Sequence, residues 1–115
     1  MTSILVVEDD KTIALLLTDV LEDEGYTVQH AEHGRMALRM LDEQSFTLII
    51  TDMMMPVMNG MELCQELVQR GQHPPIIVLS AAAHLMTVGE GGATAILSKP
   101  FVITQLLDTV HHIID

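Results

Sequence analysis

Glu8, Asp9 and Asp10 stand together at the end of an apolar run, Asp52 closes a second, and Ser80 and Lys99 close two more. Unpaired carboxylates about 5 Å apart repel by roughly 3 kcal/mol per pair at an effective dielectric near 20. If Glu8, Asp9 and Asp52 converge, they need a cation. All-oxygen ligation, from carboxylates, a backbone carbonyl and waters, suits Mg²⁺ better than zinc, which prefers nitrogen and sulfur. Lys99 is the only basic residue after Arg70 and brings a second positive charge. A carboxylate beside a divalent cation, a lysine and a hydroxyl has the parts for accepting a phosphoryl group. Asp52 would be the nucleophile, Mg²⁺ and Lys99 would stabilise charge on the transferring oxygens, and Ser80 would bond one of them after transfer.

These residues need elements that bring them to one edge. Ile4-Leu5-Val6-Val7 is a short β-branched run that suits a strand buried on both faces. After it, Ile13, Leu16, Leu17, Val20 and Leu21 fall at helical spacing, the acids Asp19, Glu22 and Asp23 take the other face, and Gly25 supplies the stop. The unit repeats. Strand runs are expected at 27–31, 46–51, 75–79 and 94–97, and helical patterns at 34–43, from Gly60 through Val68, and from Ile103 through Ile114. Five strands alternating with helices imply an α/β, doubly wound, five-stranded parallel sheet with right-handed crossovers and helices on both faces. In such sheets the ligand sits outside the carboxyl ends of the strands, so Glu8, Asp9, Asp52, Ser80 and Lys99 are expected on one rim.

Taken in order, Val7-Glu8-Asp9-Asp10, Asp52-Met53-Met54-Met55-Pro56 with Gly60, Leu79-Ser80-Ala81 and Lys99-Pro100-Phe101 resemble the response regulator receiver domain across essentially the whole chain. The resemblance implies a flavodoxin-like fold with strand order 2-1-3-4-5, which the handedness and switch-point rules for open α/β sheets accommodate. It also implies Asp52 as phosphoacceptor, Glu8 and Asp9 as the acidic pair, the Met54 main-chain carbonyl as a further ligand to Mg²⁺, Ser80 as switch hydroxyl and Lys99 as the family's lysine. Of the pair, Asp9 would ligate Mg²⁺ directly and Glu8 through water. Asp10 is expected at a helix N-terminus, where its charge suits the dipole, and a cis Lys99–Pro100 peptide is implied. The donor would be a histidine kinase or a histidine phosphotransfer protein, and output would pass to a downstream protein or an effector domain absent from this chain.

Two departures lie on the output side. Receivers usually carry Tyr or Phe three residues before the lysine, and here that residue is Ile96. The Ser80–Lys99 segment is shorter than is common and contains Gly89-Glu90-Gly91-Gly92, a poor helix former, so a short or irregular fourth helix is expected there. A receiver-like binding module acting independently of phosphorylation is the alternative reading. A phosphatase with an aspartyl-phosphate intermediate ranks last, because the position two residues after the nucleophile, where such enzymes want a second acid, is Met54.

The remaining composition bounds the answer. The length of 115 residues indicates one domain, 1–115. A formal net charge of −11 repels phosphate backbones and anionic lipid, which argues against direct nucleic-acid or membrane binding. The single cysteine, Cys64, forms no internal disulfide, and a cytoplasmic setting is expected. With Lys99 the only base between residues 84 and 115, ion-paired dimerisation through the last elements is unsupported and a monomer is expected. Met53, Met54, Met55, Met58 and Met61 crowd the segment after Asp52, as loop packing or an adaptable contact surface. The six histidines lack convergent spacing and read as structural or exposed, and the Gly89–Gly92 cluster precedes a strand where a phosphate loop would follow one.

Overall fold

Alternation decides which side chains of each strand face which layer, and here both faces are covered. In the computed structural model, which describes residues 2–81 and 92–114, the order is β1 (Ser3–Val7), α1 (Lys11–Asp23), β2 (Thr27–Ala31), α2 (Gly34–Glu43), β3 (Leu48–Asp52), α3 (Gly60–Gln69), β4 (Ile76–Ser80), β5 (Ala95–Ser98) and α4 (Ile103–Ile114). The strands form one sheet in the order β2-β1-β3-β4-β5, with every neighbouring pair parallel. The order matches the expectation. The expected short or irregular helix before β5 falls on residues 82–91, outside the described residues.

Leu5, Val7, Ile49, Ile76 and Val78 point to one face, where they pack with Ala37 and Leu38 of α2 and Leu63, Cys64 and Leu67 of α3. Their alternates Ile4, Val6, Leu48, Ile50, Ile77 and Leu79 face Leu17 and Leu21 of α1 and Leu106 and Val110 of α4. Two apolar layers therefore clamp β1, β3 and β4, whose residues are almost wholly buried. Because all strands run the same way, Glu8, Asp52, Ser80 and Lys99 leave the sheet at the same rim.

The sequence boundaries shift slightly. Phe46 and Thr47 precede β3 and do not begin it, yet the Thr47 N–H already donates to the Ser3 carbonyl at 2.7 Å, and Phe46 is buried against α2 and α3. Asp10 lies just outside α1 as its N-cap, with Oδ1 accepting from the Thr12 and Ile13 N–H groups at 2.9 and 3.2 Å. Gly25 ends that turn at φ +94, a backbone region that L side chains rarely adopt. No described helix is long and apolar enough to cross a membrane.

Candidate functional site

Four of the five strands, β1, β3, β4 and β5, deliver a polar side chain to the rim at or just after their carboxyl ends. Glu8 follows β1 and is only 1% exposed; its N–H extends the β1–β2 ladder to the Ala31 carbonyl at 3.0 Å. Asp52 is the last residue of β3, 5% exposed, and Ser80 the last of β4, 3% exposed. Lys99 follows β5, and its N–H donates to the Ser80 carbonyl at 3.0 Å, which ties the lysine to the serine's strand. The Lys99–Pro100 peptide is cis, as the resemblance implied.

The side chains converge. One carboxylate oxygen from each of Glu8, Asp9 and Asp52 lies within 4.8 Å of the others, Asp9 being the exposed member. Lys99 Nζ is 2.9 Å from Asp52 Oδ1 and 3.7 Å from Glu8 Oε1. One lysine thus faces three acids, and an excess of negative charge remains. Burial pushes the Glu8 carboxyl up to about 7, against the Asp10 N–H that donates to its Oε2 at 3.3 Å, and the Asp52 charge pushes the same way as burial. For Lys99, burial works against the ammonium, but the hydrogen bond and charge of Asp52 and the charge of Glu8 outweigh it and raise its pKa.

A divalent cation fits this donor set. Its atoms are all oxygens, and Glu8 Oε1 is buried without a hydrogen-bond partner, a cost that a cation offsets. Ser80 and the Met54 backbone flank the cluster in sequence and register: Asp52 pairs with Leu79, directly before Ser80, and Met54 follows Asp52 by two residues. Met54 itself is 75% exposed.

The loop after Asp52 is folded back tightly. The Gly60 N–H donates to the Met53 carbonyl at 2.8 Å, and a Cβ on Gly60 would lie 2.5 Å from the Asp52 carbonyl oxygen, so only glycine lets α3 start this close. Asn59 caps α3 in a reciprocal box with Glu62, the two bonds being 2.8 and 3.1 Å. Between Asp52 and that cap, Val57 has φ +68, and the Met58 N–H reaches the Pro56 carbonyl at 2.7 Å, a strained tight turn for a β-branched residue. Met53, Met55 and Met58 pack on the α2–α3 core layer, which answers part of the methionine clustering as loop packing.

From the sequence, His30 is expected to be structural or exposed. It lies in register with Val6, and its ring Nε2 is 2.6 Å from the Glu8 carbonyl oxygen. The only signal in the sequence was a histidine at a strand end, with no way to know which neighbour it meets. His33 caps α2, accepting from the Met36 N–H at 3.2 Å, and His111 meets Glu24 at 3.0 Å, both structural roles. Ile96, in the place of the usual aromatic, is half-buried and packs against the α2–α3 layer.

The family model for the response regulator receiver domain matches residues 4–111. A probable transcriptional regulatory protein of Picosynechococcus sp. is 41% identical over 90% of this chain and 45% of its own length. The chain spans about half the length of the first two curated relatives it matches. The receiver domain of a Francisella response regulator superposes with a TM-score of 0.92 at 31% identity, covering 99% of this chain and 97% of that one. The response regulator TrrA of Thermotoga maritima, solved in complex with Mg²⁺-BeF, gives a TM-score of 0.89 at 32% identity over 98% of this chain and 99% of that one. With the fold, the rim and nearly the full length in agreement, the chain belongs to the receiver domains of two-component response regulators.

Proposed function

We propose that this receiver domain takes a phosphoryl group onto Asp52 from a phosphohistidine of a histidine kinase or histidine phosphotransfer protein, with Mg²⁺ as cofactor. The observation that carries the reading is the convergence of Glu8, Asp9 and Asp52 within 4.8 Å, with Lys99 2.9 Å from Asp52. The relative TrrA, with Mg²⁺-BeF in its structure, supports the choice of metal.

An Asp52 carboxylate oxygen forms the new bond to phosphorus as the phosphorus–nitrogen bond of the donor breaks, and the leaving imidazole takes up a proton. Lys99 is already placed against Asp52 and holds negative charge on the transferring oxygens. Ser80, at the end of the neighbouring strand, donates its hydroxyl to one of those oxygens once they arrive. The carboxylates of Glu8, Asp9 and Asp52 and the main-chain carbonyl of Met54 would hold the Mg²⁺. Bound there, it supplies charge neutralisation between the acids and the phosphoryl oxygens. The acid, hydroxyl and lysine positions are all filled, and no gap in this set favours a module that works without phosphorylation.

The phosphorylated and free forms then differ in partner affinity, and the output is a population shift toward a downstream protein or an effector domain. The net charge of −11 supports a protein contact as that output and disfavours direct nucleic-acid or membrane binding by this domain. The single cysteine supports a cytoplasmic setting for the reaction. Borohydride converts an aspartyl phosphate to homoserine, so peptide mapping after incubation with a phosphodonor tests the acceptor. Homoserine at Asp52 is the expected result, and homoserine at Asp9 or Asp10 would contradict the reading.

A further inference from the structure

The Glu8 carbonyl lies where the β1–β2 ladder runs out. Its own N–H is the last rung, to Ala31, because the chain then turns through Glu32 and His33 into α2. No further strand residue continues the rung. The His30 ring takes the carbonyl instead, at 2.6 Å from Nε2. A carbonyl oxygen can only accept, so Nε2 carries the hydrogen and donates.

This bond acts on one peptide plane, the unit joining Glu8 to Asp9. Fixing its oxygen end fixes the ψ of Glu8 and the φ of Asp9 together, and so the directions in which both carboxylates leave the main chain. Glu8 has further anchors, in its own N–H and in the Asp10 N–H at its Oε2. Asp9 is exposed, and among the described residues no sheet bond or core packing orients it. From this geometry we infer that His30 is a positioning residue for the acidic pair, setting the angle at which Asp9 joins Glu8 and Asp52 in the metal-binding cluster.

The inference rests on the reading of Glu8 and Asp9 as residues that hold Mg²⁺. Groups that orient metal ligands without touching the metal commonly contribute ten- to a hundredfold to affinity. His30 is suited to such a test because it sits half-buried on the edge strand β2, beside a shallow depression shared with Lys11, Leu15, Thr18 and Glu32, and outside both core layers.

The experiment is a calorimetric Mg²⁺ titration of the whole chain for wild type, His30→Leu and His30→Gln. Leucine keeps the bulk and removes the donor; the glutamine amide nitrogen reaches about as far as Nε2. The expected result is a Kd about tenfold or more weaker in His30→Leu, restored at least in part in His30→Gln, with phosphoryl uptake at saturating Mg²⁺ kept within a few-fold. An affinity unchanged in His30→Leu, or a loss that glutamine does not restore, overturns it. If His30→Leu does not fold, long-range proton–nitrogen spectra of the wild-type ring decide: a protected Nε2 proton that shifts on adding Mg²⁺ supports the assignment, and one that exchanges freely or does not respond overturns it. A wild type that binds no Mg²⁺ would defeat the metal reading itself. Binding in the wild type that is indifferent to residue 30 defeats only the role of His30.

Discussion

Glu8 and Asp9 are adjacent in sequence, yet one is buried at the foot of the rim and the other stands in solvent, and substitution at each has a different consequence. With its carboxyl pushed from 4.5 to about 7, Glu8 binds a proton more tightly in the folded chain than in the unfolded one. The resulting stability is fully present below about 4.5 and is lost as pH rises through about 7. Metal-free protein should therefore lose stability to urea across that window, and Glu8→Gln should flatten the slope; a slope that persists in Glu8→Gln would place its origin elsewhere. Asp9→Asn should weaken Mg²⁺ binding while leaving stability unchanged or slightly higher, because it removes an acid from an already crowded cluster. Calorimetry and a melt check both halves, and unchanged metal affinity would remove Asp9 from the ligand set. The acids, Ser80 and Lys99 were legible in the sequence because each ends an apolar run. His30 was not, because its contact depends on the β1–β2 register, which periodicity does not report.

Among the elements, the β3–α3 connection carries the tightest constraint. Gly60 starts α3 so close to the Asp52 main chain that a methyl group would lie 2.5 Å from the Asp52 carbonyl oxygen and 2.9 Å from Met53 Cα, both backbone atoms that cannot simply rotate away. Gly60→Ala should cost about 1–3 kcal/mol in urea unfolding and slow phosphoryl uptake, since either the helix or Asp52 has to move. A variant of wild-type stability and rate would show that the connection gives more readily than the packing implies. The strand and helix types were legible from period, and Gly60 was visible as a helix opener. Its contact with Asp52 was not, because close backbone approach depends on the path of the Pro56–Asn59 turn, where Val57 takes a positive φ that sequence alone gives no reason to expect.

For the whole molecule, the parallel order β2-β1-β3-β4-β5 turns separate strand ends into one acidic rim, and the two apolar layers fix that rim from both sides. Sheet order was legible here because the rim residues came in family order along the chain, whereas the helix expected between β4 and β5 falls on residues outside those described. On the proposed reading, this rim accepts a phosphoryl group at Asp52 with the help of a metal held by its acids. Intact mass after incubation with acetyl phosphate, with and without Mg²⁺, on wild type and Asp52→Asn, tests it most directly. A single phosphoryl adduct that requires Mg²⁺ and is absent in Asp52→Asn is expected; an adduct that persists in the variant, or none in a wild type shown to bind Mg²⁺, would overturn Asp52 as the metal-assisted acceptor.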